Sequence, residues 1–459
     1  MRWCWLSFAT PRLTRSDFAR SDSGELGDPG PVVGAQRPST PHAYADRMMT
    51  SFERDAADEL GEYRGRFWQS ADVAAYLDGN SLGRPLTASR DRLSRFVTQE
   101  WGSRLIRGWE EQWLELPEKL GDELGRVALG AAAGQIIFAD STTVLLYKLI
   151  RAACAFRPGR TEIVIDRANF PTDRYVVEGI AAERGLTVVW INADPDSTGV
   201  ANPAETSLDD AFGVTSTQVQ AVLSERTALV VLSQVAYRSG YLADVPAITA
   251  LVHEAGALVL WDLSHSVGVV PTELDAWGVD LATGCSYKYL SGGPGAPAFA
   301  YVRRDLQSEL RQPIQGWLGT SAPFEMGQGY TPAEGIRGFA SGTPPITGML
   351  ALQDMIALIG EVGIEAIRAK SVALTEYAIA LSDEFLPDAE LASPRAAGRR
   401  GSHITLDRDD FAEIVPKLWA QGVIPDFRTP NGIRIGLSPL STSFTEVELG
   451  IMAIRYPGA

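Results

Sequence analysis

Cysteine is scarce. The 459 residues contain three, Cys4, Cys154 and Cys285, and none forms a C-x-x-C pair. So few, odd in number and far apart, they argue against a disulfide framework, exclude a four-cysteine zinc site and point to a reducing cytoplasm. Long apolar runs are missing as well, since none approaches the roughly 18 residues that span a membrane. No block of like charge marks an interaction tail. Basic residues are outnumbered, 41 Lys and Arg against 57 Asp and Glu, a net charge of −16. Such a surface repels phosphate backbones and makes nucleic acid a poor partner.

What is present is apolar mass. Hydrophobic residues make up 45% of the chain, enough for a large core, and the length suggests two or three domains. Residues 1–47 stand apart. WCWLSFA is short for a signal-peptide core, and 21–42 is rich in Ser, Gly, Pro and Asp. This stretch is expected to be a disordered extension, with Met48 and Met49 as candidate starts. An N-terminal segment and a large domain are expected over 48–345, and a smaller α+β domain over 346–459.

Four short runs rich in β-branched residues, at 162–166, 187–191, 228–232 and 257–261, read as buried parallel strands. Helical stretches at 173–184 and 245–255 lie between them, so the fold class is α/β with a mostly parallel sheet. Residues 88–126 carry a helical rhythm with Trp101, Trp109 and Trp113, and VLLYKLIRAACAF after Asp140 fits a helix. Residues 346–385 look helical throughout. Beyond them come a strand at 403–407, a helix at 409–421 and a strand at 432–437, with 391–401 as a loop.

Several residues suggest chemistry. Lys288, in CSYKYLSGGPGAPAF, sits among Tyr287, Tyr289 and Leu290 before a glycine-rich turn. A desolvated lysine can act as an amine nucleophile, and the glycines allow close approach of a bulky group. The competing reading is a lysine snorkelling at a sheet edge. Asp262 follows an apolar strand, where α/β sheets bind ligands, and can pair with a protonated pyridine nitrogen; a helix N-cap is the plainer role. His265 can contact a ring or fill the core. Asp262 and His265 find no third ligand, so a metal site is not assigned. DSTT (140–143) offers hydroxyls and a helix N-terminus to a phosphate, or simply a cap. In NFPTDRY (169–175), Phe170 can stack on a ring and Asp173 accept a hydrogen bond. Arg434, within GIRIGL, suits a substrate carboxylate or a structural ion pair.

The order of these signals, with Lys288 following Asp262 by 26 residues, resembles the layout of fold-type I enzymes dependent on pyridoxal 5′-phosphate (PLP), in the aminotransferase class V group. The wording of YLDGNSLGRPL (76–86), WGSRLIRGW (101–109), FADSTTV, NFPTDRY, SQVAYRSGYLADVPAI, the block 260–299, GWLGTSAPFEM and GIRGFASGTPP resembles kynureninase over roughly residues 70–455. The resemblance implies a PLP-dependent transferase-like fold and a cytoplasmic homodimer with active sites at the subunit interface. The implied reaction hydrolyses L-kynurenine, or its 3-hydroxy form, in tryptophan catabolism. It implies that Thr142 and Thr143 hold the phosphate, Phe170 stacks on the cofactor, and Asp173, Ser233 and His265 line its pocket. Asp262 becomes the pyridinium partner, Lys288 the Schiff-base lysine, and Tyr287 a phosphate ligand and general acid. Trp317 and Thr343 complete the site from the neighbouring subunit, while Arg434 and Trp109 bind the substrate. Gln234, Ala236, Ser291 and Thr320 depart from the family pattern at positions where His, Asn, Asn and His are expected. The alternatives are another class V reaction, such as a desulfurase, or a PLP-binding regulator. The first needs a mobile nucleophilic cysteine, and the second a DNA-binding segment that the first 70 residues do not show.

Overall fold

A computed structural model describes residues 49–192 and 208–458; the expected disordered extension lies outside the described residues. Among the described residues, thirteen strands occur in chain order: β1 (Ala75–Tyr76), β2 (Ile136–Ala139), β3 (Glu162–Asp166), β4 (Thr187–Ile191), β5 (Thr227–Ser233), β6 (Leu258–Asp262), β7 (Leu281–Gly284), β8 (Ala298–Val302), β9 (Glu390–Leu391), β10 (His403–Asp407), β11 (Val423–Ile424), β12 (Asp426–Arg428) and β13 (Gly432–Gly436). Seven form the central sheet in the order β2-β8-β7-β6-β5-β3-β4. All its pairings are parallel except the two made by β8.

The all-apolar strands are buried on both faces because helices cover both. Successive residues alternate between two cores. Val164, Val230, Val259 and Trp261 face one; Ile163, Ile165, Val231 and Leu260 face the other. Each such side chain contributes roughly 1.5–3 kcal/mol by leaving water. Helix Thr142–Phe156 starts at the Ser141 cap, and helix Val245–Glu254 starts where Asp244 accepts from the Ala247 N–H at 3.1 Å.

The four strands read from sequence match β3, β4, β5 and β6 to within a residue at either end. β2, β7 and β8 were not anticipated: IIFA, LATG and AFAYV lack a continuous β-branched run and lie among loop-like Gly, Thr and Asp. The helical rhythm of 88–126 is realised as a broken run, with widened turns at Phe96–Trp101 and Trp109–Trp113. The helical stretch 346–385 is two helices, Ile346–Val362 and Ile364–Phe385. Gly363 separates them at φ +86°, a backbone state that L side chains avoid.

A second sheet, β12-β13-β10-β9, is antiparallel. Ile404, Leu406, Ile433 and Ile435 form its core with helices Ile364–Phe385, Phe411–Ala420 and Phe444–Arg455. The N-terminal segment is stitched to it, because β1 pairs with β11 and Asp78 bridges to Gly436. The same segment then reaches the central sheet, where the Gly83 N–H donates to the Tyr287 carbonyl at 2.9 Å.

A Cβ on Gly83 would lie 2.3 Å from the Lys288 carbonyl oxygen and 2.4 Å from Ser291 Oγ. Gly83→Ala is therefore expected to cost about 1–3 kcal/mol through overpacking, read as a lower urea midpoint; an unchanged midpoint would contradict this packing. Asp166, the last residue of β3, offers a pH test. Burial pushes its carboxyl up to about 7, against about 3.9 in an unfolded chain. Between those values the native state holds a proton that the unfolded state has released, so this group's contribution to stability falls as pH rises. Asp166→Asn removes that loss. Its advantage over the parent should grow from pH 5 to 7 in urea unfolding, and parallel pH profiles would refute the assignment.

Candidate active site

Parallel strands aim their carboxyl ends at one edge of the sheet, and the side chains with chemistry follow those ends. β2 leads through Asp140 into Ser141–Thr143, β3 into Asn169 and Phe170, β6 into Ser264 and His265, and β7 into Cys285, Tyr287 and Lys288. A cavity of about 150 Å³ lies there, lined among others by Thr142, Thr143, Phe170, Asp173, Asp262, His265, Tyr287 and Lys288. Eight of the residues expected from sequence thus meet in one place.

Lys288 is 8% exposed and His265 5%, and Lys288 Nζ lies 2.8 Å from His265 Nε2. Burial, followed by the Lys288 charge, holds the imidazole well below its ordinary pKa, so the ring is neutral. In the tautomer protonated at Nδ1, Nε2 accepts from the amine, while Nδ1 has no partner of its own. Lys288 Nζ is also 5.8 Å from the Phe170 ring centre. The Phe170 ring stands edge-on against Tyr237 at 5.3 Å.

Asp262 and Asp173 form the acidic side. Asp262 Oδ1 accepts from the Ser264 N–H at 2.7 Å. Asp173 is 1% exposed. Burial and the facing Asp262 carboxylate raise its pKa well above the usual range, and neither of its oxygens has a hydrogen-bond partner. Two buried acids facing one another, of which Asp262 has the Ser264 N–H and Asp173 has no donor, leave room for a further N–H group. At the cavity mouth, burial and then Cys285 raise the Tyr287 phenol above its ordinary pKa, which keeps it protonated.

Other expected residues lie elsewhere. Ser233 stands behind Phe170, where its Oγ donates to Asn169 Oδ1 at 2.9 Å. Arg434, 1% exposed, donates to the Tyr237 carbonyl and to Ser81 Oγ, each at 2.7 Å. It also lies 2.7 Å from Asp426. The structural ion pair weighed from sequence thus describes its partners in this chain. Trp109 lines a separate apolar cavity of about 940 Å³ with Trp101, Trp113 and Phe96, and the turn 291–295 walls it. Trp317 packs against Phe324, and Thr343 is exposed; neither lines the Lys288 cavity.

Sequence reasoning missed Asn169, Ser264 and Tyr237, whose parts are played through backbone groups or a shared hydrogen bond. Cys285, read from sequence as one of three scattered cysteines, also lines the cavity. The departures have local explanations. Gln234 is buried and exchanges hydrogen bonds with Thr272. Ser291 holds φ +50°, a region where Asn is tolerated better, which accounts for the Asn expected there. Thr320 Oγ1 donates to the Thr331 carbonyl at 3.0 Å.

The family model described as Aminotransferase class-V matches residues 123–415. A protein named kynureninase from Burkholderia pseudomallei (strain 1106a) is 38% identical over 408 residues, covering 87% of this chain and 93% of that protein. One from Pseudomonas fluorescens is 37% identical over 402 residues, covering 86% and 91%. Among solved structures, a cysteine desulfurase from Thermococcus onnurineus superposes with a TM-score of 0.72 at 16% identity, covering 86% of this chain and 96% of that one. A C-DES variant with glycine covalently linked to its PLP cofactor gives 0.74 at 18%, covering 86% and 99%. These two share the fold. Identity across most of both chains goes further, and this chain belongs to the kynureninase family of the aminotransferase class V group.

Proposed function

We propose that the chain is a PLP-dependent hydrolase that splits L-kynurenine, and with it 3-hydroxykynurenine, into an anthranilate and L-alanine. The observation that carries this reading is the convergence of Lys288, the Asp173–Asp262 pair and the Thr142–Thr143 helix start on one cavity. The lining suits PLP chemically. Asp262 has one backbone donor and both Asp173 oxygens are unpartnered, which suits a protonated pyridine. Thr142 and Thr143 present hydroxyls and free N–H groups at a helix N-terminus, which suits a phosphate. Phe170 offers a ring face, with Ser233 fixing Asn169 behind it. When bound, the cofactor supplies an aldehyde for the Lys288 amine and a ring that withdraws electrons from the α-carbon of an amino acid.

The reaction adds water across the Cβ–Cγ bond. The hydroxyl joins the γ-carbonyl carbon, which becomes the carboxylate of anthranilate, and a proton joins Cβ, which becomes the methyl of alanine. Lys288 is the base for the Cα proton, and neutral His265 orients its Nζ without adding a competing charge. The Asp173–Asp262 pair keeps the N–H beside it protonated. Tyr287, held protonated by its surroundings, is the proton donor. Arg434 presents a desolvated guanidinium to the α-carboxylate, and Trp109 meets the aromatic end. Trp317 and Thr343, which do not line the cavity within one chain, belong to the site of a second copy in a homodimer. Cys154 and Cys285 are free and buried, which suits a cytoplasmic enzyme of tryptophan catabolism. Among the described residues, no helix is long and apolar enough to cross a membrane.

Purified protein given L-kynurenine or its 3-hydroxy form should release anthranilate or 3-hydroxyanthranilate with equimolar alanine. If neither substrate yields product while PLP is bound, the reading fails. Tyr287→Phe should lower kcat by roughly 10²–10⁴-fold with KM nearly unchanged; an unaltered kcat would remove Tyr287 from proton transfer.

A further inference from the structure

The first turn of helix Thr142–Phe156 is held by an arrangement that the reaction does not require. Lys148, two turns from the helix start, has a side chain with no solvent exposure. Its Nζ lies 3.0 Å from Asp140 Oδ2 and also donates to the Phe339 carbonyl. Asp140 accepts further from Ser341 Oγ, at 2.9 and 2.8 Å on its two oxygens. Its backbone sits at φ +46°, a region that a non-glycine residue occupies only when its surroundings enforce it. This bend turns the chain out of β2, through an extended Ser141 at φ −111° and ψ 163°, into the helix. The other end of the tether is also fixed, since the Ser341 carbonyl accepts from the Leu318 N–H at 3.1 Å.

We propose that Lys148, Asp140 and Ser341 are positioning residues that preset the 141–143 loop for the cofactor phosphate. This rests on the reading of that loop as the phosphate site. Two effects act together. The ion pair and the serine hydrogen bonds enforce the bend that aims the helix N-terminus and the Thr142 and Thr143 hydroxyls into the cavity. Lys148 also neutralises a carboxylate one residue before the loop, which otherwise repels a dianionic phosphate. A buried lysine that served the helix core alone would not discriminate between phosphorylated and unphosphorylated ligands.

That discrimination supplies the test. The full-length chain, stripped of cofactor, is titrated with PLP and, separately, with pyridoxal, which has the same aldehyde and ring but no phosphate. Lys148→Met should weaken PLP about tenfold or more, as expected for loss of a charge-assisted contact, and leave pyridoxal nearly unchanged. Adding Asp140→Asn to Lys148→Met should recover most of the lost PLP affinity, because the stranded charge is removed. Ser341→Ala, which leaves the ion pair in place, should show a smaller loss with the same selectivity, and it keeps the test open if Lys148→Met does not fold. Equal weakening of PLP and pyridoxal, or no weakening of either, overturns the proposal. A parent protein that binds the two ligands equally well would instead refute the phosphate-site reading beneath it.

Discussion

A buried amine needs either a partner or the loss of its charge, and much of this molecule is arranged around that requirement at Lys288. Its near neighbour is a neutral imidazole at 2.8 Å. Its compensating carboxylate is Asp262 at the end of β6, which lines the same cavity as Asp173 in the helix Pro171–Arg184. Each alone is unfavourable in such a place. Asp173 is driven toward protonation by burial and by Asp262, and is pulled back in part by Lys288. The parallel sheet makes the combination possible, because adjacent strand ends bring residues far apart in sequence within reach of one small volume.

The remainder of the fold supports that volume from outside. The segment 75–83 ties the second sheet to the turn carrying Lys288, and Gly83 is there because no Cβ fits against the Lys288 carbonyl. Its neighbours Asp78 and Ser81 meet Arg434, so one stretch touches both the amine loop and the guanidinium. The glycine-rich turn after Lys288 separates the small polar cavity from the larger apolar one, with Ala296 lining the first and 291–295 the second. A cofactor-sized polar site and an aromatic-lined space thus share a single loop as their wall.

The sequence made much of this legible. The strands β3–β6 were readable because continuous apolar β-branched runs have few other uses. Asp262 was readable because a charged residue at the end of such a run calls for a reason, and Lys288 because it sits among aromatic and apolar residues before a glycine-rich turn. The strands β2, β7 and β8 were not, since IIFA, LATG and AFAYV lack the continuous β-branched run that marks β3–β6. The break at Gly363 was hidden because a lone glycine in a helical pattern is ordinarily tolerated. The Arg434 partners and the Lys148–Asp140–Ser341 network connect residues up to 356 positions apart, which no local pattern encodes. The pairing of Asp173 with Asp262 belongs to the same class: each was suspected singly, and only the fold sets them face to face.

Under the proposed function, Lys288 and no other amine carries the cofactor. Lys148 is the informative rival, being also buried and close to the phosphate loop. Holoenzyme reduced with borohydride and mapped by peptide mass spectrometry should carry the phosphopyridoxyl mass on the peptide containing Lys288. Labelling of the Lys148 peptide instead, or of no lysine in a protein that retains PLP, would contradict the account.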